Sequence, residues 1–146
     1  MLVAEVLGIG EAESGPLSLM TLMSEVERGL PLAALDRVVR SLSPGDGSFA
    51  FRLVPRATLA RRRKQAASPE AGSRLSADEG ARVARLAEVW AFAREVWGSD
   101  EEARDFLFRP HPLLEGRRPV DVVLANEFGR PLVDAILGGL KYGSAA

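Results

Sequence analysis

A chain of 146 residues, 47% hydrophobic and without cysteine, can fill one shared core but offers no disulfide, no thiolate metal site and no thiol nucleophile. Its formal net charge of −1 keeps non-specific attraction to polyanions modest, yet it hides a segregation: residues 1–36 carry six acids and one base, residues 37–85 eleven bases and four acids, and the remainder seven bases and ten acids. A basic middle between acidic ends predicts a local footprint for a polyanion. The apolar residues 1–10 lack a basic leader and a cleavage site, and no apolar run approaches the roughly 20 residues of a bilayer crossing, so a soluble cytoplasmic protein is expected, with no membrane partner.

In chain order, residues 1–16 form an N-terminal extension whose order the sequence leaves open. Residues 17–28 place Leu19, Met20, Leu22, Met23 and Val26 on one helical face, and Gly29 ends that helix. Pro31 suits a first turn, and Leu32, Leu35, Val38, Val39 and Leu42 give the apolar face of a second helix. Ser43-Pro44-Gly45-Asp46-Gly47-Ser48 must reverse the chain. Phe49, Phe51, Leu53 and Val54 fit a helix or a strand, with a short helix favoured by the helical patterns around them. After Pro55, Ala57, Leu59 and Ala60 are expected inward, with Arg56, Thr58, Arg61, Arg62, Arg63 and Lys64 outward. Residues 65–74 read as an exposed linker.

Ser76 with Glu79 is a capping box, and Val83, Leu86, Ala87, Trp90, Ala93 and Trp97 then line the inward face of a long helix closed by Gly98. Ser99 with Glu102 repeats the cap before a short helix through Phe106 and Leu107 that stops ahead of Pro110. Pro112 and Gly116 make the next stretch irregular, and Pro119 starts a short helix bearing Val120, Val123 and Leu124. The last helix begins at Asn126 or Pro131, since proline is comfortable in a first turn and costly later. Its inward residues are predicted to be Leu132, Val133, Ile136, Leu137 and Leu140. The fold class is therefore all-α: a helix-turn-helix module (17–66) and a linker (67–74) leading to a second helical domain (75–146) on which the first packs.

Catalytic chemistry is sparse. His111 is the only histidine and has no cysteine or second histidine to complete a triad or zinc site. Asp100, Glu101, Glu102 and Asp105 cluster at a helix start, where carboxylates complement the helix dipole. Gly138-Gly139 lacks the spacing of a phosphate loop. No catalytic residue, metal ligand or cofactor is assigned, and no enzyme activity is expected. The basic run follows a turn and a short element, as in the second helix of a helix-turn-helix, which puts Arg56 and Thr58 near base edges and Arg61, Arg62, Arg63 and Lys64 near phosphates.

Gly29-Leu30-Pro31, Ala57-Thr58-Leu59-Ala60-Arg61-Arg62, and Leu75-Ser76 with Arg82 and Arg85-Leu86-Ala87 resemble the Xre/MbcA/ParS family of antitoxins. So do Ala93-Arg94-Glu95-Val96-Trp97-Gly98, residues 103–107, Pro112-Leu113-Leu114 with Gly116 and Pro119, Gly129, Val133, Leu137 and Tyr142-Gly143, which follow that family's toxin-binding domain. The resemblance covers about residues 29–143. It implies a RES-domain toxin as partner, an enzyme that depletes NAD, blocked by the antitoxin in a type II toxin–antitoxin pair. It also implies operator DNA as a second partner, transcriptional autoregulation, and dimerisation through the C-terminal domain. Toxin contacts are implied at Arg130, Leu137, Leu140, Lys141, Tyr142 and Gly143, with Lys141, Tyr142 and the tail projecting past the helix end into the toxin site. Two departures stand out: the turn at residues 43–48 is richer in Gly and Pro than a compact helix-turn-helix prefers, and Phe106-Leu107 replaces a common Trp-Leu. The alternative function is a helix-turn-helix transcription factor that uses its C-terminal domain only to dimerise and has no toxin partner.

Overall fold

The computed structural model describes residues 2–9, 18–66 and 73–143. All regular elements among them are helical, which agrees with the all-α expectation, and only isolated bridges interrupt the pattern. The chain divides into two compact units, Leu2–Ala84 and Arg85–Ala146, with the division inside one long helix rather than at the linker suggested by the sequence. The core of that linker, residues 67–72, lies outside the described residues, as do residues 1, 10–17 and 144–146.

In the first unit, α1 (Val3–Leu7) buries Val6 and Leu7 and lies on α3. The Arg37 guanidinium holds it there by donating to the Glu5 carbonyl (2.7 Å). Ser18 caps α2 (Leu19–Arg28) by accepting the Thr21 amide. Of the five apolar residues expected on one buried face of α2, only Leu22 is buried; Leu19, Met20 and Met23 are exposed. α3 (Leu32–Leu42) starts directly after Pro31 and buries six residues, including Leu35, Val38 and Leu42, which makes it the centre of this unit. Asp46 then turns the chain by accepting both the amide and the hydroxyl of Ser48, so its carboxyl is held below its ordinary pKa. Gly47–Arg52 form a 3-10 helix, so the helical option for this stretch holds in its tighter form.

Leu53 and Val54 are fully buried in the turn that leads to α4 (Arg56–Ala66). Beyond residue 72 the chain is clamped by hydrogen bonds, although Arg74 stays exposed. The Leu75 amide donates to the Leu30 carbonyl (2.8 Å), the Arg74 guanidinium to the Gly29 carbonyl (2.8 Å), and Pro31 and Arg74 form an antiparallel bridge. Apolar periodicity is silent on such backbone pairing, so Ser73 and Arg74 looked like linker. The capping box at the start of α5 (Ala77–Trp97) is complete: the Ser76 amide donates to Glu79 Oε1 (2.8 Å) and the Glu79 amide to Ser76 Oγ (3.2 Å).

In the second unit, α5 continues to Trp97 and Gly98 takes a positive φ of 83°. Ser99 caps α6 (Asp100–Phe108) through the Glu102 amide. A 3-10 turn at Pro112–Leu114 follows, with His111 Nδ1 accepting the Leu113 amide (3.1 Å). Proline does open α7 (Pro119–Ala125). α8 (Gly129–Tyr142) starts between the two candidate positions and holds Pro131 within its first turn, where the missing N–H costs nothing. α7 packs on α6 and α8. At the α7–α8 crossing a Cβ on Gly129 would lie 1.8 Å from the Val122 carbonyl oxygen, so only glycine permits the approach.

Three residues expected inside this unit are not. Leu132 is exposed because it sits one residue, about 100°, from the Val133/Leu137 stripe that is buried. Trp97 (37% exposed) and Leu140 (50% exposed) do lie on the inward stripes of α5 and α8, seven and three residues beyond the buried Trp90 and Leu137, but among the described residues of the unit they are covered only in part.

Candidate functional site

α4 carries the basic run, and its neighbours decide which cations remain outward. Leu59 is its one fully buried anchor, while Ala57 and Ala60, expected inward, are exposed. The outward stripe is therefore Ala57, Ala60, Arg61 and Lys64. Arg56 is exposed with its guanidinium 4.3 Å from the centre of the Phe51 ring, a cation–π contact that steadies the side chain at the helix start. Thr58 is half-buried.

Arg62 turns inward, against the expectation of an outward phosphate contact. Its side chain is 18% exposed, forms an ion pair with Glu79 (2.9 Å) and donates to the Arg74 carbonyl. Glu79 is itself buried and also closes the capping box, so one carboxylate joins α4 to the start of α5. Arg63 makes a two-pronged pair with Asp36 of α3 (2.9 and 3.2 Å), whose hydrogen bonds raise the guanidinium pKa further; both side chains remain substantially exposed. Glu79 was legible only as a cap and Asp36 only as a polar position on α3, because their partners are 17 and 27 residues away.

The second candidate surface is the end of α8. Arg130 is drawn into its own unit by Glu88 and Asp134 (3.2 Å to the latter), and Leu137 is completely buried, so both serve the core of the unit. Leu140 and Tyr142 present apolar and aromatic surface, Tyr142 at 75% exposed. Lys141 does not hang past the helix: it lies in the last turn, bonded to Glu95 of α5, with its ammonium 5.3 Å from the Tyr142 ring and 6.0 Å from that of Phe92. This hydrogen bond holds the Glu95 carboxyl below and the Lys141 ammonium above their ordinary pKa values. Gly143 ends α8 in the left-handed region, and the rest of the tail lies outside the described residues. Sequence reasoning missed the exposed Leu113 and Phe128 in this unit; an aromatic in the polar stretch Asn126-Glu127-Phe128-Gly129 was the available signal.

His111 is edge-on to the Phe106 ring at 6.0 Å between centres and caps a 3-10 turn, which accounts for it structurally. Among the described residues no cluster of His, Asp and Glu could hold a metal ion, and no helix is long and apolar enough to cross a membrane.

Two family models match, an antitoxin Xre-like helix-turn-helix domain over residues 21–88 and the antitoxin Xre/MbcA/ParS C-terminal toxin-binding domain over residues 92–143. The chain belongs to the Xre/MbcA/ParS antitoxin family. No curated protein matches it. The antitoxin's helix-turn-helix match runs from α2 into α5 and contains α4 whole; its toxin-binding match takes in the end of α5, α6, α7 and α8 and closes on Gly143. Neither matched domain belongs to an enzymatic family. A toxin and DNA are thus the two partners of this antitoxin.

Proposed function

We propose that this chain is the antitoxin of a type II pair, which binds and blocks an NAD-depleting RES-domain toxin in the cytoplasm and, as a homodimer, represses its own operon. The observation that carries this reading is the presence in one chain of an antitoxin DNA-binding domain followed directly by a toxin-binding domain. The geometry of each surface supports the division of labour. On α4, Ala57 and Ala60 let the helix backbone approach a groove closely, Arg61 and Lys64 reach phosphates, and Arg56 and Thr58 near the helix start face base edges. On α8, the exposed phenol of Tyr142 at a slim, glycine-ended terminus suits a pocket made for an anionic, aromatic dinucleotide, and Lys141 beside it adds its cation once it leaves Glu95.

Co-expression with the protein encoded in the adjoining reading frame, expected to be the toxin, tests the reading. Cellular NAD should fall when the toxin is expressed alone, recover with the intact chain, and stay low with Lys141→Ala/Tyr142→Ala. NAD that falls equally with and without the intact chain would remove the antitoxin assignment to a RES-domain enzyme. Full protection by the double variant would remove the end of α8 from the blocking role.

A further inference from the structure

Trp97 and Leu140 end the inward stripes of two helices and are left partly uncovered over the same space. Together with Phe106, Pro110 and His111 they wall a groove of about 310 Å³, with Glu102, Asp105 and Arg109 at its rim. The rings are ordered against each other: Trp97 and Phe106 are 6.0 Å apart between centres and tilted by 35°, and His111 meets Phe106 edge-on. Because His111 Nδ1 accepts the Leu113 amide, its Nε2 carries the proton and the ring presents a fixed wall with a donor. An aromatic side chain on a core stripe, held in place yet partly uncovered, is the usual form of an interface anchor site.

We propose that this groove is the anchor pocket for the toxin, taking one aromatic or long aliphatic side chain with an arginine or lysine beside it; this rests on the antitoxin reading above. Three observations select that occupant. Every wall and rim residue lies within residues 92–143, the match to the toxin-binding domain. The volume is at the bottom of the range for ligand pockets, about 300–1,000 Å³, and so fits one large side chain rather than a dinucleotide. The rim leans acidic, two carboxylates against the one guanidinium of Arg109: Asp105 is tied only loosely to Arg109 (3.8 Å, both side chains more than 70% exposed), and Glu102 makes a long contact with Ser99 Oγ (3.4 Å), so an incoming cation can take either carboxylate.

The test uses the full-length chain and the toxin with which the reading above pairs it, a RES-domain protein, with association and dissociation followed at two salt concentrations. Leu140→Ser should weaken the complex at least tenfold, chiefly through faster dissociation. Glu102→Gln/Asp105→Asn, at exposed positions that cannot unfold the chain, should slow association several-fold at low salt and little at high salt. On binding, the fluorescence of Trp97 should shift to the blue as its exposed edge is covered. Toxin affinity within twofold of wild type for both variants, with the wild type binding tightly, overturns the proposal. So does a result in which the variants keep toxin affinity but lose self-association by light scattering, since the groove would then join two copies of this chain. If the wild type itself does not bind the RES-domain protein, the antitoxin reading fails and the anchor pocket fails with it.

Discussion

Two ion pairs hold α4, and their burial predicts unequal effects. Arg62–Glu79 has side chains 18% and 9% exposed, whereas Arg63–Asp36 has side chains 47% and 38% exposed. Removing one partner of a buried pair costs roughly 3–5 kcal/mol, because the other charge stays buried without compensation. Glu79→Gln keeps an oxygen that can accept the Ser76 amide, so the cap survives and the loss isolates the charge. Since Arg62 is nearly a fifth exposed, the lower end applies, and we expect about 2–3 kcal/mol. Asp36→Asn removes a surface pair and should cost under about 1 kcal/mol, even though its geometry is the better of the two. Urea unfolding followed by far-UV circular dichroism gives both values. The double variant Arg62→Met/Glu79→Leu, which replaces the pair with apolar groups, should recover most of the Glu79→Gln loss. Equal costs for Glu79→Gln and Asp36→Asn, or a Glu79→Gln loss under about 0.5 kcal/mol, would refute the view that burial sets the worth of these pairs.

Gly129→Ala should destabilise the second unit by about 2–3 kcal/mol, since the Val122 carbonyl must retreat by more than an ångström, whereas Gly138→Ala, with open space around its Cβ, should be neutral or stabilising; thermal melts of both variants check this. The Glu95–Lys141 pair predicts a pH window. The carboxylate's share is in place above the unfolded pKa of Glu95 and is lost as pH falls through its depressed folded value. The ammonium's share is in place below the unfolded pKa of Lys141 and is lost as pH rises through its elevated folded value. A carbon-13 titration of the Glu95 carboxyl should therefore show a midpoint below the ordinary glutamate range, and Lys141→Ala should return it to that range.

The sequence made helices and several of their ends legible because caps and breakers act within four residues: Ser76, Ser99 and Pro119 all sit where local chemistry would put them. What it could not convey was coverage. A stripe such as Leu19-Met20-Met23, or the pair Trp97 and Leu140, says which way a helix faces and nothing about whether another element reaches that far. α4 shows the stronger form of this limit. With few large apolar residues its inward direction was set by Leu59 and by the distant carboxylates of Glu79 and Asp36, so small residues assigned inward came out and an arginine assigned outward went in. The groove at Trp97 and Leu140 was not legible at all, because its walls come from α5, α6, α8 and the His111 turn.

The same sorting of charges makes a quantitative claim about DNA. The sequence suggested four cations of α4 for phosphates, Arg61, Arg62, Arg63 and Lys64; if all met them, the affinity would fall with a log–log salt slope of about −3.6 per protomer at roughly −0.9 for each neutralised phosphate. Arg62 and Arg63 are committed to Glu79 and Asp36, which leaves Arg61 and Lys64 exposed on the helix for phosphates, with Arg56 at a base edge, and a slope of about −1.8 per protomer. The term does not depend on sequence, so any labelled duplex measured by fluorescence anisotropy from low to physiological salt reports it, without knowledge of the operator. Arg61→Ala/Lys64→Ala should flatten the slope by about 2 per protomer. Asp36→Asn should steepen it by up to about 1 by releasing Arg63. A wild-type slope near −3.6 per protomer would mean that both ion pairs break on DNA. The net charge of residues 37–85 would then be a better guide to the interface than the fold that sorts it.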